Sequence, residues 1–192
     1  MSKTNISIIL KNSGQSFDST RLTITSAVSV IKAIREASCV SPDIKWVNDI
    51  YLDGRKIGGI LCEAVSDASG RISGYIAGIG INCFDSDFPE DIKAKAGAIN
   101  DPLLSRNRLA SLIRSHLLTD IMLPAEEITE AYRSHSFLIG RDISYNDNGL
   151  TVMARVLDIG DDGRLHVARD DGTEELLDSG EISVIPNSKD NT

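Results

Sequence analysis

The chain has 192 residues, 41% hydrophobic and 25% charged, which excludes wholesale disorder, collagen and a lone coiled coil. Its net charge of −8 is uneven: residues 1–140 hold 16 acidic against 15 basic side chains, and residues 141–192 hold 12 against 5. That acidic last quarter argues against nucleic acid or an anionic membrane as partner, and it marks a boundary near Gly140.

Further exclusions come from the start and from the cysteines. No apolar run approaches the roughly 18 to 20 residues of a membrane span. The first residues hold too short an apolar stretch for a signal peptide. Cys39, Cys62 and Cys83 have no metal-ligand spacing and read as reduced thiols in or near the core, so a cytoplasmic location is expected.

In chain order, Asn5 to Leu10 reads as a strand. Ile24, Ala27, Val28, Ile31, Ile34 and Ser38 recur at helical spacing, with Asp18 or Ser19 as cap and an end before Ser41-Pro42. Asp43 to Asn48 reads as a strand. Ile50 to Leu52, Asp53-Gly54 and Arg55 to Ile57 form the strongest hairpin signal, because Asp-Gly supplies the positive φ values of a type I′ turn. The strand continues through Gly58 to Val65, turns at Asp67 to Gly70 and returns over Arg71 to Cys83. Asp85 to Pro102 is a polar surface loop.

A second helix is expected over Leu103 to Ile121. A third runs from Pro124, with Glu126 and Glu127 in its first turn, to about His135. Five short segments follow, at Asp142 to Tyr145, Leu150 to Ile159, Arg164 to Arg169, Thr173 to Leu177 and Glu181 to Ile185. The Asx-Gly turns between them suggest a small SH3-like barrel. The expected fold is α+β: a mostly antiparallel sheet with helices packed on it over residues 1–138, an SH3-like barrel over 139–187, and a disordered tail over 188–192.

Three clusters on the central strands could carry chemistry. In Lys45-Trp46-Val47-Asn48-Asp49, a lysine amid apolar neighbours can meet an anion as a compact point charge, or snorkel beside a core tryptophan. Gly58 and Gly59 interrupt a β-forming run, either for a bulge or tight packing, or for close approach of a flat ligand. Gly78-Ile79-Gly80-Ile81-Asn82 lacks the third glycine and the helix of a dinucleotide fingerprint. It reads as a small-residue strand, or as a strand end that admits a ligand beside the Asn82 amide. His116, His135 and His166 suit packing or solvation, and no metal motif appears.

In order, Lys45-Trp-Val-Asn-Asp-Ile-Tyr-Leu-Asp-Gly-Arg-Lys-Ile-Gly-Gly-Ile-Leu and then Gly78-Ile-Gly-Ile-Asn resemble the biotin–protein ligases. The family's motifs are Lys-Trp-Pro-Asn-Asp, Lys-x-x-Gly-Ile-Leu and Gly-x-Gly-Ile-Asn. Gly180 to Ser183 matches the Gly-Glu-Ile-Ser element of its C-terminal SH3-like domain. The resemblance spans about residues 4–186 and implies ATP-dependent formation of biotinyl-5′-AMP with Mg2+, then transfer of the biotinyl group to a lysine of a biotin carboxyl-carrier protein.

By that resemblance, Lys45 is the catalytic cation between biotin carboxylate and α-phosphate. Gly58, Gly59 and Ile60 line the biotin ring. Gly78 and Gly80 make room for the nucleotide, and Asn82 faces the phosphates or their Mg2+. Val47 stands where the family has proline, a modest change to strand rigidity. The family's Ser/Thr-Thr-Asn element and Gly-Arg-Gly-Arg-Arg-Gly loop have no match in these 192 residues. The chain is therefore expected to match the second half of the catalytic domain plus the C-terminal domain, and to be poorly competent alone. The alternatives are a non-catalytic homologue serving oligomerisation or partial ligand binding, and a lipoate-ligase-like relative. An exposed edge at Asn5 to Leu10 and an uncovered face around Ile57, Ile60 and Ile79 are expected to recruit a second copy or a separate N-terminal ligase fragment.

Overall fold

The computed structural model describes residues 2–11, 18–84, 88–178 and 180–185; the tail expected over 188–192 lies outside them. The first sheet is wholly antiparallel. It holds β1 (Ser2–Lys11), β2 (Asp43–Lys45), β3 (Asp49–Leu52), β4 (Arg55–Ser66) and β5 (Ile72–Phe84), in the order β1-β5-β4-β3-β2. Between β3 and β4, Asp53 and Gly54 both take positive φ, +49° and +73°, as a type I′ turn requires.

One face of this sheet lies under the helix α1 (Ser19–Ala37). Its N-cap is Asp18, whose carboxylate accepts from the Arg21 amide at 2.6 Å and so satisfies one of the orphan donors of the first turn. Ala27, Val30, Ile31, Ala33 and Ile34 are fully buried, each large aliphatic contributing about 1.5–3 kcal/mol. Against α1 pack α2 (Arg106–Asp120) and α3 (Ala125–His135). Buried Asp120 ties α2 to α1 by accepting from Ser29 Oγ at 2.9 Å and Lys32 Nζ at 2.7 Å. Glu126 and Glu127 at the start of α3, with Arg133 and His135 at its end, complement its dipole.

The second sheet holds β6 (Asp142–Asp147), β7 (Leu150–Ile159), β8 (Leu165–Arg169), β9 (Glu174–Leu177) and β10 (Ile182–Val184), in the antiparallel order β10-β6-β7-β8-β9. Its inward residues, among them Ile143, Val156, Leu165 and Val167, join the same continuous apolar core as α1 and Trp46. Among the described residues no helix is long and apolar enough to cross a membrane.

Several expectations need correction. The strand expected to Asn48 stops at Lys45, and Trp46 to Asn48 form a tight turn, so Val47 stands in a turn. The Trp46–Val47 peptide is cis. Helix α2 starts at Arg106 rather than Leu103, because the Asp101 carboxylate accepts from the Leu103 amide at 2.8 Å in a local turn and Ser105 caps the helix. Cys39 is exposed. Ile57, Ile60 and Ile79 are 0–3% exposed beneath α1 and are not an uncovered face. The open apolar positions lie on the opposite face: Ile9 is 74% exposed and Leu61 61%.

Candidate active-site cleft

Strand alternation sorts neighbouring residues onto opposite faces. The register pairs Lys45 with Asp49, Asp49 with Gly59, Gly59 with Gly80 and Gly80 with Asn5. This row crosses all five strands on the face away from α1. One residue along each strand, Ile44, Ile50, Gly58, Ile81 and Thr4 pair in the same way; all five are buried.

The two glycines of the pair therefore do different things. A Cβ on Gly58 would meet Ile81 Cδ1 at 2.6 Å and the Gly80 carbonyl at 2.7 Å, so only glycine fits there. A Cβ on Gly59 would have Asp49 and Lys56 side-chain atoms at 3.6 Å as nearest neighbours, and the space above it is open. Ile60 turns its side chain into the core.

Above the row lies a cleft of about 1060 Å³. Lys45, Gly58, Gly59, Gly80 and Asn82 line it, Gly58 from the α1-facing row. A shallower recess of about 430 Å³ beside it is lined by Gly78, Ile60 and Gly59 among others. Three further lysines face the main cleft: Lys3 from β1, Lys56 from β4 and Lys95 from the loop after β5. Lys56 heads the Lys-x-x-Gly-Ile-Leu match, but the sequence reading gave none of the three a site role. Tyr51 and Phe137 form an aromatic pair at one wall, with ring centroids 5.4 Å apart. Gly180 to Val184 bring the second sheet to the same rim.

Lys45 is the last residue of β2, with its ammonium 5.7 Å from the centre of the Tyr51 ring. Burial holds its pKa below the ordinary lysine value; Asp49 and Glu181 counter that shift, and Lys56 and Lys95 add to it. Burial, and then the Asp49 charge, push the Tyr51 phenol up. Asp49 is paired with Lys56 at 2.5 Å.

Asn82 has a structural task. Its Nδ2 donates to the Gly97 carbonyl at 2.9 Å, its own carbonyl accepts from Ile99 at 3.0 Å, and Lys56 N–H donates to Lys95 O at 2.8 Å. These bonds fold the 95–100 segment against the ends of β4 and β5 and hold Lys95 at the cleft. His116 pairs with Glu36 at 3.0 Å and His166 with Glu174 at 2.8 Å. Among the described residues no group of three or more His, Cys, Asp or Glu could hold a metal.

The five-stranded sheet thus carries a lysine-lined cleft over two glycines on one face and helices on the other. The family model "Biotin/lipoate A/B protein ligase family" matches residues 2–82, and "Biotin protein ligase C terminal domain" matches residues 138–184. The "Bifunctional ligase/repressor BirA" of Bacillus subtilis (strain 168) is 30% identical over 170 residues, covering 81% of this chain and 50% of that protein. The "Biotin--[acetyl-CoA-carboxylase] ligase" of Mycobacterium tuberculosis is 27% identical over 154 residues, covering 75% and 55%. The chain spans about half the length of the curated relatives it matches.

Among solved structures, apo biotin protein ligase from Aquifex aeolicus superposes with a TM-score of 0.79 at 20% identity, covering 96% of this chain and 83% of that one. The same enzyme in complex with biotin and ATP gives 0.76 at 21%, covering 96% and 79%. The chain belongs to the biotin protein ligase family.

Proposed function

We propose that the cleft serves biotin protein ligase chemistry. The observation that carries this reading is the row from Lys45 through Asp49, Gly59 and Gly80 to Asn5, a flat glycine floor ending at a half-buried ammonium. In the reaction, a biotin carboxylate oxygen bonds to the α-phosphorus of ATP and pyrophosphate leaves. A carrier-protein lysine amine then attacks the acyl carbon and AMP leaves. Two anions must meet in the first step, and the Lys45 ammonium offsets both their repulsion and the charge that builds at phosphorus. Lys3, Lys56 and Lys95 supply cations for the phosphates. Gly59 and Gly80 give the biotin ring a floor without side chains, Gly58 supports that floor from beneath, and Ile60 and Gly78 shape the adjoining recess.

Mg2+ would travel with the nucleotide. It takes octahedral oxygen ligands and commonly keeps phosphates and waters. Asn82 Oδ1 is the one side-chain oxygen we assign to it.

In this reading residues 1–138 are the catalytic unit, and the second sheet belongs to an SH3-like barrel over residues 139–187. A biotin carboxyl-carrier protein is the macromolecular substrate. The outer edge of β1, which pairs only with β5 among the described strands, and the open Ile9 and Leu61 side chains favour association with a second copy or a ligase fragment.

The test is pyrophosphate exchange with biotin and ATP on the 192-residue chain. We expect exchange well below that of a full-length ligase, since these residues contain no arginine–glycine loop, and loss of that exchange in Lys45→Ala. Binding of biotin and ATP without any exchange would favour the non-catalytic homologue. Binding of neither would sink the reading.

A further inference from the structure

Lys45 sits in a segment pinned at every neighbouring residue. Ile44 O accepts from the Phe137 amide at 3.4 Å, Val47 O accepts from Tyr132 Oη at 2.9 Å, and Asn48 exchanges two bonds with Ile60, at 2.8 and 2.9 Å. The remaining neighbour, Trp46, reaches furthest. Its ring is 4% exposed, and its Nε1 donates to the Gly163 carbonyl at 2.8 Å, 117 residues away in the turn between β7 and β8.

That turn is built to hold its carbonyl still. Gly163 N–H donates to Gly160 O and Gly160 N–H to Arg164 O, both at 2.8 Å. Arg133 of α3 clamps the same turn, with Nε donating to Ile159 O at 2.6 Å and a terminal nitrogen to Asp161 at 3.0 Å. Gly163 has φ +82°, and a Cβ there would lie 2.5 Å from Ile24 Cδ1 and 2.7 Å from Thr20 Cγ2 at the start of α1. Anything larger than hydrogen forces the turn off the helix and takes the Trp46 acceptor with it.

We propose that the β7–β8 turn is a positioning element of the anion site, with Gly163 and Trp46 as positioning residues that fix where the Lys45 ammonium stands. The second sheet thus takes part in the cleft from beneath as well as at its rim. This rests on the ligase reading above only for what Lys45 binds; its placement by the turn does not.

The groups that face Lys45 are Asp49 and Tyr51 of β3, Lys56 of β4, Lys95 of the following loop and Glu181 ahead of β10. None of them is changed by the variants below, so a shift in the Lys45 titration reports its position.

The experiment follows the side-chain carbon signal of Lys45 against pH in chain labelled at lysine, assigned by its loss in Lys45→Arg, together with calorimetric binding of inorganic pyrophosphate. Trp46→Phe keeps an aromatic ring and removes the N–H donor together with some buried volume. Gly163→Ala moves the acceptor. Val167→Ala, a truncation in the core of the same sheet, is the control for general loosening.

We expect Trp46→Phe and Gly163→Ala to raise the Lys45 titration toward that of a free lysine and to weaken pyrophosphate binding about tenfold, the order expected when a buried hydrogen bond is lost. Val167→Ala should do neither. An unchanged Lys45 titration in Trp46→Phe, or an equal shift in Val167→Ala, would overturn the proposal. If Gly163→Ala does not fold, Trp46→Phe decides alone. A shifted titration with pyrophosphate binding indifferent even to Lys45→Ala would remove the anion reading and leave the positioning by the turn standing.

Discussion

The two faces of the first sheet are one residue apart in sequence and opposite in physics. The row Ile44, Ile50, Gly58, Ile81 and Thr4 is buried on the helix side, and the row Lys45, Asp49, Gly59, Gly80 and Asn5 opens to the cleft. On the buried face a glycine answers to packing: Gly58 is there because nothing else fits between Ile81 and the Gly80 carbonyl. On the open face Gly59 has room above it, as the proposed binding role requires. The same residue type in consecutive positions thus has a packing role and, in the proposed reading, a binding role, and strand parity alone separates them.

The largest expected effect sets these two glycines against each other. Gly58→Ala drives a methyl into backbone and should destabilise by about 3 kcal/mol, at the upper end for overpacking. Gly59→Ala should leave stability within about 0.5 kcal/mol of wild type while weakening biotin binding. Urea unfolding and biotin calorimetry on the pair measure both. Equal stability losses would break the comparison.

Next in size, Lys45→Ala should weaken pyrophosphate binding by at least about tenfold, since a charge-assisted contact is typically worth ~1.5–3 kcal/mol. Stability should hold or rise slightly, because the removed ammonium is partly desolvated.

A pH series sharpens the same point. The folded-state pKa of Lys45 lies below its unfolded value, so the protonated side chain opposes folding. That penalty is full below the folded pKa and is relieved as pH rises from the folded toward the unfolded value. Anion binding runs the other way. Pyrophosphate affinity should fall as pH rises, starting below the 10.5 of an ordinary lysine, and Lys45→Ala should flatten that limb of the profile.

The smallest effect is at Asp49. Asp49→Asn breaks the ion pair to Lys56, whose side chain is 46% exposed, so about 0.5 kcal/mol of stability is at stake. It also removes the main charge that raises the Lys45 pKa, so Lys45 should titrate lower still, readable in the same lysine carbon signal.

How far the sequence reaches follows from which forces are local. Helix α1 and the Asp53-Gly54 hairpin were legible because periodicity and turn chemistry act within a few residues. The turn at Trp46 to Asn48 was not, since an apolar run with one lysine reads equally as strand. The motif names Gly58, Gly59 and Ile60 together, and only the period of two in the folded strand shows that Gly59 faces opposite to its neighbours. The convergence of Lys3, Lys45, Lys56 and Lys95 was out of reach. It depends on the pairing of β1 with β5 and on the bonds by which Asn82 and Lys56 hold the 95–100 segment, and spacing along the chain encodes neither. Gly163 carried a signal as part of an Asp-Asp-Gly turn, but the indole that needs its carbonyl could be found only in three dimensions.

That long reach from Trp46 to Gly163 has a consequence in time. At synthesis rates of about 5–20 residues per second, the carbonyl that fixes the indole is made roughly 6 to 23 s after the indole itself. Through that interval the Lys45 segment is finished but unanchored on that side. A ribosome that stalls before the β7–β8 turn would release a product with its lysine motif intact in sequence and loose in space.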